Sequence, residues 1–489
     1  MKSNDSVSKY PGQTRLALRN IDEIDPHKIG DYIDRDGYLA LGKALKMSPD
    51  DIIKTIDDSG LRGRGGAGFP TGKKWSFVRA AQGDTKYVIC NADEGDPGAF
   101  MDRAILEGDP HSVLEAMTIA GFAVGATKGF IYVRAEYPLA VSNLEIAIKQ
   151  SHGKGFLGKN ILGSKFDFDI ELRLGAGAFV CGEETALIAS IEGRRGEPTP
   201  KPPFPANSGL YKKPTLINNV ETLTVIPMII LRGATYFNTI GTATSKGTKV
   251  FALAGNIKNG GLVEVPMGTS LKTLVYDIGG GAPSVFVGPN KVEMKRAVKA
   301  VQIGGPSGGC IPASMFDTGL DYESVKKLGA ILGSGGLVVM DEKTCMVDIA
   351  KFFIKFSVDE SCGKCVPCRI GNRKLLGILE KITSGKGAES DIDELVNLGK
   401  TIISTSLCGL GQSSPNPVLS TIANYRDEYL AHCGIKRAEG SGVQGVTPWC
   451  PAGVCFKKKA KYCINEKCIS CGRCAPICPV NAIHKEGEK

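Results

Sequence analysis

The run Tyr87-Val88-Ile89-Cys90-Asn91-Ala92-Asp93-Glu94-Gly95-Asp96-Pro97-Gly98 decides the fold class. Its first four residues read as a buried strand, and the chain then turns abruptly polar and ends in turn formers. Polar side chains at a strand's carboxyl end are where α/β sheets hold ligands. Working outward, the strand-like runs Phe130 to Val133 and Phe168 to Leu174 alternate with the helical stretches Ser112 to Val124 and Leu139 to Gln150. This alternation predicts an α/β sandwich over residues 50–242. Upstream, 1–49 reads as an extended leader with a short amphipathic segment. Ser48-Pro49-Asp50-Asp51 then supplies an N-cap and acidic first turn for a helix ending at Gly60. Downstream, 243–335 changes to short glycine-punctuated strands (Thr248 to Ala254, Gly261 to Val265, Ala300 to Ile303), consistent with a small α+β module. Residues 336–434 read as helical, with Met346 to Phe356, Asn372 to Thr383 and Asp391 to Ser404 as helices. A short cysteine-rich tail, 435–489, opens with the loop Ala438 to Val446.

A chain of 489 residues is long enough for several cores. The apolar fraction of 42% is ordinary, and runs such as Val225 to Leu231 are too short to span a bilayer. Met1 to Arg15 is polar and lacks the apolar region of a secretory signal, so a cytoplasmic location without membrane insertion is predicted. In a reducing compartment the sixteen cysteines point to metal ligation or redox chemistry rather than disulfides. Cys90, Cys181, Cys310 and Cys345 are scattered singly, and the other twelve lie between Cys362 and Cys478, which places the metal chemistry in the C-terminal quarter. Much of the local positive excess sits in Lys457, Lys458, Lys459 and Lys461. That run is either a solvated face or a docking patch for an acidic electron-transfer partner. No motif accompanies it that would indicate nucleic acid.

Gly63-Arg64-Gly65-Gly66-Ala67-Gly68-Phe69-Pro70 contains a formal dinucleotide fingerprint, but it follows a helix end where that fingerprint should follow a strand. Its glycines permit close backbone approach to a flat or phosphorylated ligand, with charge from Arg64, Lys73 and Lys74 and stacking from Phe69, Trp75 and Phe77. A structural turn is the competing reading. A third segment, Gly175-Ala176-Gly177-Ala178-Phe179-Val180-Cys181-Gly182, follows the strand Ile170 to Leu174 and opens a helix at Glu183-Glu184-Thr185. Those acids fit either a ligand or the helix dipole.

Cys362-x-x-Cys365-x-x-Cys368 with Cys408 offers four thiolates, enough for a [4Fe–4S] cluster, with zinc as the rival for any such set. Cys468-x-x-Cys471-x-x-Cys474-x-x-x-Cys478-Pro479 is the bacterial ferredoxin run. It occurs once, so a single [4Fe–4S] cluster on all four cysteines is the simplest account. Cys450, Cys455 and Cys463 remain, with His432 and, as a substitute, Cys433. They are either a closed tetrahedral zinc site or free thiols.

Taken in order, Gly60 to Trp75, Asn91 to Arg103, Gly175 to Leu187, Lys201 to Leu210, Asn218 to Thr222 and the Cys362 cluster closely resemble one family. It is the NADH-binding flavoprotein subunit of respiratory complex I, with relatives in NAD-dependent formate dehydrogenases and electron-bifurcating hydrogenases. The resemblance implies an FMN/NADH-binding α/β sandwich, a ubiquitin-like (SLBB-type) module, a helical-bundle [4Fe–4S] domain and a ferredoxin-like tail. It implies FMN held by Gly63, Arg64, Gly65, Lys74, Asn91, Asp93, Glu94, Gly182, Glu183, Asn218, Asn219 and Thr222. NAD(H) would meet Phe69, Phe77, Glu184, Lys201 and Phe204, with Asp96 near the nicotinamide; Glu94, Asp96 and Glu184 are the candidate catalytic acids. Positions 96 and 179, aspartate and phenylalanine here, are often glutamate and tyrosine in the respiratory subunits. Cys450 to Cys455 looks like the linker that joins a ferredoxin-like tail in bifurcating hydrogenases, which favours zinc at Cys450, Cys455, Cys463 and His432. The respiratory subunits lack this tail, so the resemblance favours a cytoplasmic bifurcating complex. The alternatives are a non-bifurcating NADH dehydrogenase subunit of a formate dehydrogenase or hydrogenase, or a non-catalytic electron relay. The implied partners are a separate small thioredoxin-like [2Fe–2S] subunit, a further iron–sulfur or catalytic subunit, and ferredoxin.

Overall fold

The computed structural model describes residues 12–287, 292–438, 441–444 and 447–456. A four-stranded sheet lies at its centre, with β1 (Tyr87–Ala92), β2 (Lys128–Arg134), β3 (Asp169–Gly175) and β4 (Thr215–Asn219) in the order β3-β2-β1-β4. Every pairing is parallel, and β1 meets β4 with Cys90 opposite Asn218 and Asn91 opposite Asn219. β1 and β2 are buried almost without interruption, as strands covered by helices on both faces must be. Helix Pro110–Val124 is buried nearly all round and fills one of those faces. β3, at the edge, instead carries Glu171 and Arg173, and Glu171 pairs with Lys128 at 2.8 Å.

From Arg15 onward the N-terminal segment is not an extended leader. Leu16, Leu18, Ile21, Tyr32 and Leu41 are buried in the same core as the sheet, and Ile29–Ile33 and Leu39–Ala44 are short helices. The physical reason is Glu264, whose buried carboxylate accepts the backbone N–H groups of Leu16, Ala17 and Leu18, each at 2.9 Å. Helix Pro49–Asp58 follows, with the Ser48 hydroxyl accepting from the Asp51 N–H at 3.1 Å.

A second, mixed sheet takes β5 (Thr248–Gly255), β6 (Gly261–Pro266), β9 (Val298–Ile303), β10 (Gly309–Pro312) and β11 (Gly336–Asp341). Its order is β10-β9-β11-β5-β6, and β7 (Val285–Val287) and β8 (Val292–Met294) form a separate hairpin. β11 is the middle strand, one residue past the expected limit of this module at 335, and it runs parallel to β5. Helices Met346–Asp359, Asn372–Thr383, Glu389–Thr405 and Asn416–His432 then pack around a third core. The expected loop at Ala438 to Val446 instead holds a small antiparallel ladder of β12 (Ile435–Ala438) and β13 (Ser441–Gln444). No helix among the described residues is long and apolar enough to cross a membrane.

Candidate functional site

Because all four strands of the first sheet are parallel, their carboxyl ends open on one side. That side collects Asn91 at the end of β1 and Asp93 and Glu94 just after it, the 176–183 loop after β3, and Asn218 and Asn219 at the end of β4. The glycine loop between helices Pro49–Asp58 and Thr71–Ala80 lies over them, pinned by the Gly63 N–H to the Phe69 carbonyl at 2.8 Å and by a bridge between Gly66 and Gly333. A Cβ on Gly65 would stand 3.0 Å from the Asn219 side chain, and one on Gly182 would stand 3.5 Å from the Asp93 carbonyl. The floor of this cradle is therefore bare backbone.

Asp93 is the telling residue. Its side chain is 1% exposed, neither carboxylate oxygen has a hydrogen-bond partner, and the nearest cation, Arg134, stands 3.9 Å away. Burial, only partly offset by Arg134, pushes its carboxyl up to about 7. A buried polar group without a partner is uncommon unless something else satisfies it, and the FMN group implied by the fold family is rich in the N–H and O–H donors that a carboxyl there could meet. Asn91 is preset beside it: its amide donates to the Gly182 carbonyl at 2.9 Å, and its oxygen accepts from the Asp93 N–H at 3.1 Å.

Several predicted residues support the walls rather than face a ligand. The Arg64 guanidinium is buried and spent on the carbonyls of Thr248, Arg62 and Lys246, so its expected charge on a phosphate is corrected; only its backbone N–H reaches Thr222, at 2.8 Å. Trp75 is fully buried and donates to Asn218 at 3.0 Å, which removes it from the stacking set. The Glu94 carboxylate accepts the Asp102 and Arg103 N–H groups and caps helix Met101–Gly108, while burial lifts it to about 7. Glu183 caps helix Glu184–Ile191 through the Thr185 and Ala186 N–H groups. For Glu94 and Glu183 the helix-dipole reading describes the contacts. Asp96 is half-buried, accepts from Ser334 at 2.7 Å, and is raised to about 6 by desolvation.

The residues expected to meet the nucleotide lie at the surface of this side of the sheet. Phe69, Phe77 and Phe204 are 43%, 47% and 54% exposed, and the first two rings lie 6.5 Å apart. Lys201 pairs with Glu184 and, at 3.1 Å, with Glu183. Burial disfavours its charge, but these pairs prevail and raise its pKa. Lys74, lowered by burial, donates to the Ile217 carbonyl at 3.2 Å and lies 3.9 Å from Glu184. Asp102, absent from the predicted set, orients Asn219 by accepting from its amide. Its acidic character within the Asn91 to Arg103 motif was the available signal.

Beside the cradle, Cys362, Cys365, Cys368 and Cys408 line one pocket, walled by Val180, Pro198, Leu407 and Leu410. Sulfurs around one tetrahedral zinc ion would sit about 3.8 Å apart. Among the described residues these four thiols do not form such a tight set, so the geometry suits a cluster with inorganic sulfide better than a single ion. Val180 faces this pocket and Gly182 the cradle, so about 7 Å of chain at most separates the two walls. The Phe179 N–H donates to Glu360 at 2.9 Å, and Arg195 and Lys364 cross to the Cys362 and Pro198 carbonyls, which locks the two pockets together.

A further group converges between helices Met346–Asp359 and Asn416–His432: ligand atoms of Cys345, His432, Cys450 and Cys455 lie within 4.8 Å of one another. The set contains Cys450, Cys455 and His432 of the sequence reading and adds Cys345, treated there as a scattered cysteine, while the substitute Cys433 turns away towards the Ala388 carbonyl. No spacing rule links Cys345 to a histidine 87 residues later. Cys463 and the ferredoxin-run cysteines Cys468, Cys471, Cys474 and Cys478 lie outside the described residues.

Comparison with known proteins agrees with this geometry. Residues 56–228 match the Nuo51 FMN-binding domain, 348–432 the NADH-ubiquinone oxidoreductase-F iron-sulfur binding region, and 464–484 a 4Fe-4S binding domain. The chain is 55% identical to the NADP-reducing hydrogenase subunit HndC of Solidesulfovibrio fructosivorans, over 96% of this chain and 91% of that one. It is 45% identical to an NADH-quinone oxidoreductase subunit of Rhizobium meliloti (strain 1021), over 86% and 98%. Among solved structures, a chain of an NAD+-reducing [NiFe]-hydrogenase in the H2-reduced state superposes with a TM-score of 0.73 at 34% identity, covering 86% of this chain and 67% of that one. The chain therefore belongs to the complex I 51 kDa family of FMN- and iron–sulfur-binding NADH oxidoreductase subunits, shared by NADH-quinone oxidoreductases and hydrogenases.

Proposed function

We propose that this chain exchanges a hydride with NAD(H) and forwards electrons singly within a cytoplasmic, electron-bifurcating complex. The observation that carries the reading is the shared wall: the partnerless Asp93 and bare Gly182 on one side, Val180 and four cysteines on the other. Bound FMN supplies the exchange between two-electron and one-electron chemistry. Phe69, Phe77 and Phe204 offer apolar faces to the nicotinamide nucleotide, while Lys74 and Lys201 balance its phosphates against Glu184. Asp93, raised by burial to about 7, is partly protonated near neutral pH at the cradle, and Asp96, raised to about 6, takes up its proton below that. Cys362, Cys365, Cys368 and Cys408 hold the first [4Fe–4S] cluster, and Cys468, Cys471, Cys474 and Cys478, inside the matched 4Fe-4S segment, a second. Two outlets beside one flavin are what bifurcation needs. A thioredoxin-like [2Fe–2S] subunit, a further iron–sulfur or catalytic subunit and ferredoxin complete the path.

The test is reconstitution with FMN, iron and sulfide, then NADH or NADPH with a dye, and then the whole complex with ferredoxin. Flavin absorbance that bleaches on NADH, and ferredoxin reduction that requires the second acceptor, are expected. Protein that takes up iron but no flavin is only a relay. Ferredoxin reduction that ignores the second acceptor returns the chain to the non-bifurcating dehydrogenases.

We also propose Zn²⁺ at Cys345, His432, Cys450 and Cys455. His432 Nδ1 lies 2.6 Å from the Glu428 carbonyl, which assigns the proton there and leaves Nε2 free, 3.5 Å from the Cys345 sulfur. The site clips the 447–456 segment onto the helices. Elemental analysis should find one zinc per chain beyond the iron, and a chelator should expose the segment after residue 438 to protease. An unchanged cleavage pattern after the zinc is removed would count against the clip.

A further inference from the structure

Separate from both cofactor pockets, the N-terminal segment and helices Ile226–Arg232 and Ala234–Asn238 line a cavity of about 390 Å³ that opens to solvent, where Arg35 and Arg232 are exposed. That volume falls in the range of small-molecule pockets. Four arginines line it, Arg15, Arg19, Arg35 and Arg232, against two acids, Asp36 and Glu115. Guanidinium groups do not lose their protons in proteins, so the cavity holds a surplus of fixed positive charge.

The lining's internal hydrogen bonds leave that surplus in place. The Glu115 carboxylate is already engaged by the Tyr32 hydroxyl at 2.6 Å and the Tyr38 and Leu41 N–H groups at 3.0 and 2.9 Å. Arg19 donates to the Leu16 and Thr224 carbonyls, and Arg35 to the Asn20 side chain, all neutral acceptors that orient the guanidiniums without cancelling charge. Outside the lining, Glu23 stands 3.9 Å from Arg35, and the buried Asp109, held by Asn20 at 2.9 Å, acts electrostatically on Arg19, so these two acids offset part of two of the four charges. Arg15 reaches the Ile21 carbonyl at 2.9 Å, but its Nε is shut off from solvent and has no acceptor. Arg232 packs its guanidinium 4.9 Å from the Tyr236 ring centre. It is not needed to complete its own helix, because Lys43 caps the Ile230 and Leu231 carbonyls at 2.7 and 3.1 Å.

We infer that this cavity is a second ligand site, taking the phosphate group of a small molecule. Phosphate offers several acceptor oxygens and more than one negative charge, which matches four guanidinium-bearing side chains lining one cavity. A single halide would leave most of those donors unmet. None of these residues belongs to the flavin cradle, so the inference stands or falls apart from the proposed activity.

The test uses the full chain with FMN and clusters in place and saturating NAD⁺ to block the cradle. Inorganic phosphate, pyrophosphate and ADP are titrated by calorimetry at constant ionic strength, with chloride as reference. Saturable binding in any of the three arms is expected, and the tightest arm tells free phosphate from a phosphate carried on an organic ligand. Arg15→Gln and Arg232→Gln should each weaken it about tenfold or more, the loss of one charge-assisted hydrogen bond, with NADH-dependent dye reduction unchanged. Arg232, which is exposed and packs on the Tyr236 ring, guards against an Arg15 variant that fails to fold. No binding in any arm, binding no stronger than chloride's, or binding indifferent to both substitutions overturns the inference.

Discussion

Asp93 is a carboxyl of the candidate site that the fold buries without a hydrogen-bond partner. Burial raises its folded-state pKa from 3.8 to about 7, and Glu94 and Asp96 are raised in the same direction, to about 7 and about 6. For a carboxyl so raised, the fold prefers the protonated form. The contribution is complete below the ordinary value near 4 and is lost as pH climbs through about 7. FMN-free protein should therefore melt at a higher temperature at pH 5 than at pH 8 on account of these groups. Asp93→Asn should shrink the difference and gain on the order of 1–3 kcal/mol at pH 8, read by thermal denaturation. An unaltered pH slope in the variant would remove Asp93 from this account. That Asp93 is acidic and follows a buried strand was visible in the sequence. That both its oxygens are left without partners was not, because a partner is a matter of direction. Arg64 shows the converse: the right residue type sits in the right loop, yet its guanidinium points into the backbone.

At the level of elements, the glycine loop is held between two helices, and the first begins at an exposed cap. Ser48→Ala removes the acceptor for the Asp51 N–H and should lower stability by about 1 kcal/mol, seen as a smaller urea midpoint at constant slope, with dye reduction by NADH preserved. A large loss of activity would mean that the helix transmits strain into the loop. Patterning revealed the elements whose environment is uniform: β1 and β2, buried on both faces, and the amphipathic helix Asn372–Thr383. It missed β4 and β11. Thr215–Asn219 ends in two asparagines and reads as a polar motif, and Gly336–Asp341 sits where the sequence texture changes; each is made a strand by partners far away in the chain. The same holds for 15–47, whose short helices are stabilised by burial rather than by local propensity.

Across the whole molecule, the two sheets are joined by a buried ion pair. Lys249, at the start of β5, is fully buried against Glu221, which follows β4, and also donates to the Val250 carbonyl at 3.0 Å. Lys249→Met leaves an uncompensated buried carboxylate and should cost about 3–5 kcal/mol, while Lys249→Met with Glu221→Gln should recover much of that. A denaturation double-mutant cycle measures the coupling, and strictly additive losses would show that the pair does not act as a unit. By itself the sequence determined the α/β class, the buried strand that runs into the polar residues Asn91 to Asp96, the glycine loop, the Cys362 and Cys468 runs and, through their order, the family. These are local in the chain, and spacing records them. Only the tertiary structure decided which side chains face the cradle, that Cys345 joins His432, Cys450 and Cys455, and that four arginines surround a cavity at the N-terminal segment. Those depend on residues tens to hundreds of positions apart meeting at angstrom distances. Composition and periodicity carry no information about such meetings until packing imposes it.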